Sequence, residues 1–255
     1  MTAVAFVRGV SSSFEQCVTA RPPDPPLNPE LAATQHAQYV AALERGGYQV
    51  IAVPVDDDLA DSSFIEDTAV VVGTRVLITR PGHPSRRHEV ETVAAALTSR
   101  FPLHRVRRPA MIDGGDVLKM GSSIFVGRSD RTNEEGIRAI AAIAEPLGMS
   151  VTSVPVARVL HLKSGVSALD DGTLLWHRDA CEREVFDGFE VLEVVGDDPE
   201  AANVVRLADG GILVAEHHPE TAALVAGRGF TVATTDVSEF ARADGGLTCL
   251  SIRVR

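Results

Sequence analysis

A closed ring of five α/β modules is the fold class that this sequence predicts, and three observations carry the expectation. Similar phrases recur in which a helix stop feeds an extended run: Gly47 to Val55, Gly148 to Val156 and Gly229 to Val237. Five apolar stretches read as hairpins, from Thr68 to Thr79, Val117 to Val126, Val166 to Trp176, Val204 to Val214 and Leu247 to Val254. Just ahead of them, or opening them, stand Glu66, Asp113, His161, Asn203 and Cys249, in steps of 47, 48, 42 and 46 residues. A nearly constant step marks a repeated supersecondary unit.

The elements follow in chain order. Pro29 to Arg45 has helical periodicity and feeds a strand from Tyr48 to Val53. The first hairpin turns at Gly73 and the third at Asp171-Gly172, both turn-forming signals. Helical patterns follow three of the hairpins, at His88 to Leu97, at Glu134 to Leu147 after Thr132-Asn133, and at Pro219 to Gly227. Each module is therefore strand, strand, helix, strand. The last hairpin has no helix after it, so the N-terminal helix and strand are expected to complete the C-terminal module. Such closure protects sheet edges. Residues 1–255 are expected to form one catalytic domain, with residues 11–26 as a lid loop.

Bulk properties narrow the function. A hydrophobic fraction of 45% with 23% charged residues suits a globular core. A net charge of −11 disfavours nucleic acid and anionic membranes, which need clustered cations. Cys17, Cys181 and Cys249 are too scattered for a disulfide framework or a Cys-x-x-Cys metal motif. Met1 to Val10 lacks the character of a signal peptide and no apolar run approaches a membrane span, so a cytoplasmic protein is expected.

The five hairpin-entry residues carry the chemistry. If equivalent entries face one axis, a ring brings together two carboxylates, an imidazole, an amide and a thiol. A purely structural repeat would place similar residues there. Adjacent His217-His218 point in different directions and have no third ligand nearby, so no metal is expected. Asp56-Asp57-Asp58 and Arg107-Arg108 read as solvated loop charges.

Several blocks stand out in order along the chain: Asp61-Ser62-Ser63-Phe64-Ile65-Glu66-Asp67, Ile78-Thr79-Arg80-Pro81-Gly82 with Ser85-Arg86-Arg87, Asp113-Gly114-Gly115-Asp116-Val117, Arg131-Thr132-Asn133, His161-Leu162-Lys163-Ser164, Ala201-Ala202-Asn203 and Asp244-Gly245-Gly246-Leu247-Thr248-Cys249. Together they resemble the dimethylarginine dimethylaminohydrolase family. The resemblance implies a pentein-like, fivefold pseudosymmetric α/β propeller. It also implies metal-independent hydrolysis of asymmetric dimethylarginine or monomethylarginine to citrulline and a methylamine. By position, Cys249 is then the nucleophile, His161 the general acid and base, and Asp113 the acid that orients the imidazole. Glu66 and Asp67 lie against the guanidinium, and Arg86 and Arg131 hold the substrate carboxylate. Asp61 and the backbone at Ala243 hold its ammonium. Thr19, or Val18, is the lid contact, and Asn203 has no assigned role.

The chemistry needs that set. A resonance-stabilised guanidinium requires a strong nucleophile, carboxylates around it and a proton donor for the departing amine. Carboxylates near a thiol disfavour the thiolate, so the substrate's own charge is expected to help activate Cys249. His161 must be protonated in one step and neutral in the next, which predicts a pKa near the working pH. Alternatives are an arginine deiminase-like hydrolase, a noncatalytic propeller that binds partners, and a zinc hydrolase built on His161, Cys249 and Asp113 with Glu66 as base. A small-molecule substrate is the expected partner, and a homodimer is left open.

Overall fold

The computed structural model describes residues 2–255. They carry five three-stranded sheets built on one plan: the middle strand pairs antiparallel with one neighbour and parallel with the other. In the first repeat, Ala69–Val72 and Arg75–Ile78 form the hairpin and Leu103–Arg105 adds in parallel. Helix Val90–Leu97 makes the crossover. Gly73, at φ 56°, supplies the left-handed residue that this tight turn needs. The second repeat uses Val117–Met120, Ser123–Arg128 and Ser150–Pro155, with helix Glu134–Ala144 between the last two. The third and fourth centre on Thr173–Trp176 and Ile212–Ala215.

The fifth sheet joins both ends of the chain. Val4–Arg8 lies between Ile252–Val254, antiparallel, and Gln49–Val53, parallel. The expected final hairpin from Leu247 to Val254 is thus not one. Leu247–Leu250 is a 3₁₀ turn, and the single strand after it takes its partner from the N-terminus. Eight residues without a turn signal cannot fold back on themselves. Val4–Arg8 carries no strand signal in sequence because all five of its residues are buried and show no alternation.

The chain divides into two compact units, one of residues 1–65 with 204–255 and one of residues 66–203. In the first, helix Pro29–Arg45 starts on Asn28, whose side chain accepts from the Glu30 and Leu31 amides. Its inner face joins a core that includes Tyr39, Leu43, Phe14, Phe64 and Phe240. The second unit has two apolar clusters, one around Val72, Ile124 and Ile140 and one around Phe125, Leu174 and Trp176. Among the described residues, no helix is long and apolar enough to cross a membrane.

His36 stands out in the first core. Its ring lies 6.4 Å from those of Tyr39 and Phe240, and its Nε2 has no hydrogen-bond partner. Burial lowers its pKa to about 4. An unfolded histidine titrates near ~6.5, so as pH falls from there the unfolded chain takes the proton before the folded one. Stability is therefore present at neutral pH and lost on the way down to the folded pKa. His36→Phe should remove about 2 kcal/mol of the stability lost between pH 7 and pH ~4.5. Urea unfolding of both proteins at the two pH values checks this, and equal losses would contradict it.

Candidate active site

The hairpin-entry residues occupy one kind of local structure. Glu66 lies in the 3₁₀ turn Ile65–Thr68 and Cys249 in the turn Leu247–Leu250. Asp113 and His161 immediately precede the turns Gly114–Asp116 and Leu162–Ser164, and Asn203 immediately follows Pro199–Ala202. A single turn followed by a strand presents its polar side chain at the strand's start, which is why unlike residues share a period.

In the second unit these turns interlock. Asp113 is fully buried, with Oδ2 3.0 Å from His161 Nε2, while Oδ1 accepts from the Gly82 amide at 2.8 Å. Asp67 accepts from the Gly115 amide at 2.8 Å and from Arg86 Nη1 at 2.6 Å. The Arg86 guanidinium also donates from Nε and Nη2 to Glu89, at 3.0 and 2.8 Å. Leu162 donates its amide to Asp116 at 2.9 Å, and Lys163 reaches Glu66 at 2.5 Å. Asn203 donates from its side-chain amide to the Lys163 carbonyl at 2.9 Å.

The two glycines of Asp113-Gly114-Gly115-Asp116 are required by space. A Cβ on Gly115 would lie 2.8 Å from His161 Nδ1 and 2.9 Å from Asp67 Oδ1, and one on Gly114 would strike the Glu66 carbonyl. Backbone approaches this close only where no side chain exists. Arg131 is placed by the same loops: its backbone packs on Gly82, and its amide donates to Ser129 Oγ, which bonds Asp116.

The charges in this cluster explain one another. Burial opposes ionisation of Asp67, but His161 and Arg86 overcome it and lower the carboxyl to about 2. Burial likewise penalises the Arg86 cation, and Glu89 with Asp67 more than restores it. Asp116 is raised by burial, against the charge of His161 and the bonds from Ser129, Thr132 and Leu162. Burial works to lower His161, yet Asp67, the bond to Asp113 and the charges of Asp116 and Asp113 raise it to about 9. The imidazole is thus a cation at neutral pH in this state, well above the working value expected from sequence, because acids surround it. Ligand atoms of Asp67, Asp113 and His161 lie within 4.8 Å of one another, but the ion pairs to Arg86 and within the cluster account for that closeness.

The first unit carries the remaining residues. Cys249 is half-buried against the core that holds Leu247 and Leu250. Asp61 is buried and accepts from the Val18 amide at 3.0 Å. Thr19 is half-buried beside Val18, and Ala243 is buried in the same core. Phe14, Phe64 and Phe240 pack together with ring centroids 5.4–6.1 Å apart. A Cβ on Gly245 would strike the Phe64 ring, so the loop leading to Cys249 lies directly on the turn that carries Asp61. Residues 11–26 are held along their length: Ser12 donates to Asp57, Ala20 to Asp244, and Arg242 to the Pro25 carbonyl. Asp57, read from sequence as a solvated charge, is an anchor of this loop.

Arg86, expected from sequence to hold the substrate carboxylate, is already engaged by acids. Three of its nitrogens donate to Asp67 and Glu89, so it is first the counter-cation of Asp67. Three buried or half-buried members of the cluster carried no assignment from sequence: Glu89, Asp116 and Lys163. The spacings Arg86-x-x-Glu89 and His161-x-Lys163 were the available signals.

A family model described as arginine deiminase matches residues 55–193. A curated relative from Streptomyces coelicolor, an N(G),N(G)-dimethylarginine dimethylaminohydrolase, is 42% identical over 228 residues, covering 88% of this chain and 86% of its own. The chain belongs to the dimethylarginine dimethylaminohydrolase family. A Pseudomonas aeruginosa member is 33% identical, over 87% of this chain and 88% of its own. A crystal structure from the same family, a histidine-to-glycine variant in adduct with S-methyl-L-thiocitrulline, superposes with a TM-score of 0.94 at 29% identity, covering 100% of both chains. The P. aeruginosa structure, a cysteine-to-serine variant complexed with citrulline, gives 0.93 at 30% identity, again over 100% of both chains. The fold class is therefore the five-module pseudosymmetric α/β propeller expected from the repeat.

Proposed function

We propose that this member of the family hydrolyses the guanidinium of N-methylated free arginine, asymmetric dimethylarginine or monomethylarginine, to citrulline and a methylamine. One observation supports this most directly. The second unit buries five carboxylates, Glu66, Asp67, Glu89, Asp113 and Asp116, around the side chains of Arg86, Lys163 and His161. A concentration of buried acids favours a cationic ligand, because its charge is attracted to all of them.

In the reaction, the Cys249 thiolate adds to the guanidinium carbon and forms a C–S bond. The C–N bond to the methylamine breaks as His161 delivers a proton to the departing nitrogen. Water then adds to the resulting thiouronium carbon, His161 removes its proton, and the C–S bond breaks to release citrulline and the thiol. Asp113 orients the imidazole, while Glu66 and Asp67 hold the guanidinium. A second cation among these acids lowers the His161 pKa from its raised value towards neutrality, which suits a group that must give a proton and then take one. Arg86 and Arg131 take the substrate carboxylate. Asp61 and the Ala243 carbonyl take the ammonium, and Val18 or Thr19 closes over it. No step requires a metal.

The test is a substrate panel of arginine, monomethylarginine, both dimethylarginines and agmatine, with citrulline or carbamoylputrescine and the released amine measured together. Citrulline with dimethylamine or methylamine is expected, and agmatine, lacking the carboxylate, should be at least ~100-fold poorer in kcat/KM, a loss of about 3 kcal/mol. Ammonia release from arginine at comparable efficiency would favour a deiminase. Agmatine turned over as well as methylated arginine would remove the carboxylate assignment.

A further inference from the structure

We infer that Lys163 is the positioning residue for Glu66, and that Asn203 acts through it; the inference rests on the reading of Glu66 as a guanidinium-binding carboxylate. The turn after His161 reaches three acids with three successive residues. His161 meets Asp113 at 3.0 Å, the Leu162 amide meets Asp116 at 2.9 Å, and the Lys163 ammonium meets Glu66 at 2.5 Å. One short stretch of backbone therefore fixes the proton-transfer group and the substrate-binding carboxylate relative to each other.

The lysine is built in rather than exposed. Its side chain is 12% accessible and that of Glu66 7%. Its carbonyl is fixed by Asn203 Nδ2 at 2.9 Å, and Asn203 is itself buried. A flexible four-carbon side chain with a compact charge normally stays in water. Here it ends on a carboxylate oxygen of Glu66, in the single turn Ile65–Thr68. The bond selects one Glu66 rotamer before substrate arrives, which is pre-organisation of a binding group. It also sets a cation beside the place the substrate cation is read to occupy, so lysine and substrate share Glu66. Losing the lysine should then impair orientation, seen in kcat, without weakening capture, seen in KM.

The experiment is a double-mutant cycle on kcat with asymmetric dimethylarginine, using wild type, Lys163→Met, Glu66→Gln and the double variant, with thermal unfolding of each. Lys163→Met is expected to lower kcat at least ~10-fold with KM unchanged or lower, and to lower it less than ~2-fold in the Glu66→Gln background. A merely structural role would multiply the two losses, and that result overturns the proposal, as does a Lys163→Met enzyme with wild-type kcat. Asn203→Ala is the second variant should Lys163→Met not fold. Its kcat should fall with KM held, and less so in the Glu66→Gln background; equal falls in the two backgrounds overturn the proposal. A wild-type protein that releases no citrulline from any methylated arginine defeats the functional reading instead, and the role of Lys163 falls with it.

Discussion

Cys249→Ser is expected to lower citrulline formation by at least ~10³-fold, about 4 kcal/mol of transition-state stabilisation, while the protein unfolds at the wild-type temperature. An alcohol is almost wholly protonated at neutral pH and cannot add to a resonance-stabilised cation at a useful rate. The fold is indifferent because Cys249 is half-buried at the edge of its core and the change removes little apolar contact. The other cysteines are internal controls. Cys17 is buried and its thiol donates to the Phe14 carbonyl at 2.8 Å, and burial pushes the Cys181 thiol up to about 11. Cys181, so raised, does not form the thiolate that reaction requires, and Cys17 is held against the Phe14 carbonyl. Cys17→Ser and Cys181→Ser should therefore keep turnover within about twofold, and a haloacetamidine should label the wild type once and Cys249→Ser not at all. More than a few per cent of activity in Cys249→Ser would exclude it as the nucleophile.

Arg86→Met is expected to cost about 3–5 kcal/mol of folding stability, the loss found when one partner of a buried ion pair is removed. The arginine lies 2.6 Å from Asp67 and 2.8 Å from Glu89, and all three side chains are at most 6% exposed. Removing it leaves two buried carboxylates facing each other beside Asp113, so at least one must take up a proton or draw in water. Arg86→Lys should recover only part of the loss, since an ammonium cannot span both acids with a planar fork. Urea unfolding at pH 7 reads the difference. The double variant Arg86→Met, Glu89→Met should be more stable than Arg86→Met alone because one orphaned charge is gone. A single-variant loss below about 1 kcal/mol would show that water, rather than Arg86, satisfies these acids.

Much of this molecule is written locally. Helices Pro29–Arg45 and Pro219–Gly227 run over the residues expected of them, since proline opens each, and Gly46 follows the first while Gly227 closes the second. The 3₁₀ turn that ends helix Glu134–Ala144 early is also local, set by Pro146. The repeat was legible because each module repeats the same short-range pattern, and the motif residues because they recur at its turns. Tertiary structure decided what depends on partners distant in sequence. Val4–Arg8 has no alternation to reveal it and becomes a strand only between the chain's far end and Gln49–Val53. Arg86, expected from sequence to hold the substrate carboxylate, finds its partners Asp67 and Glu89 only once the fold brings them onto it. The protonation of His161 was the least legible property of all. It depends on burial set against Asp67, Asp113 and Asp116, contributions of opposite sign whose balance exists only once the turns that carry these residues have come together.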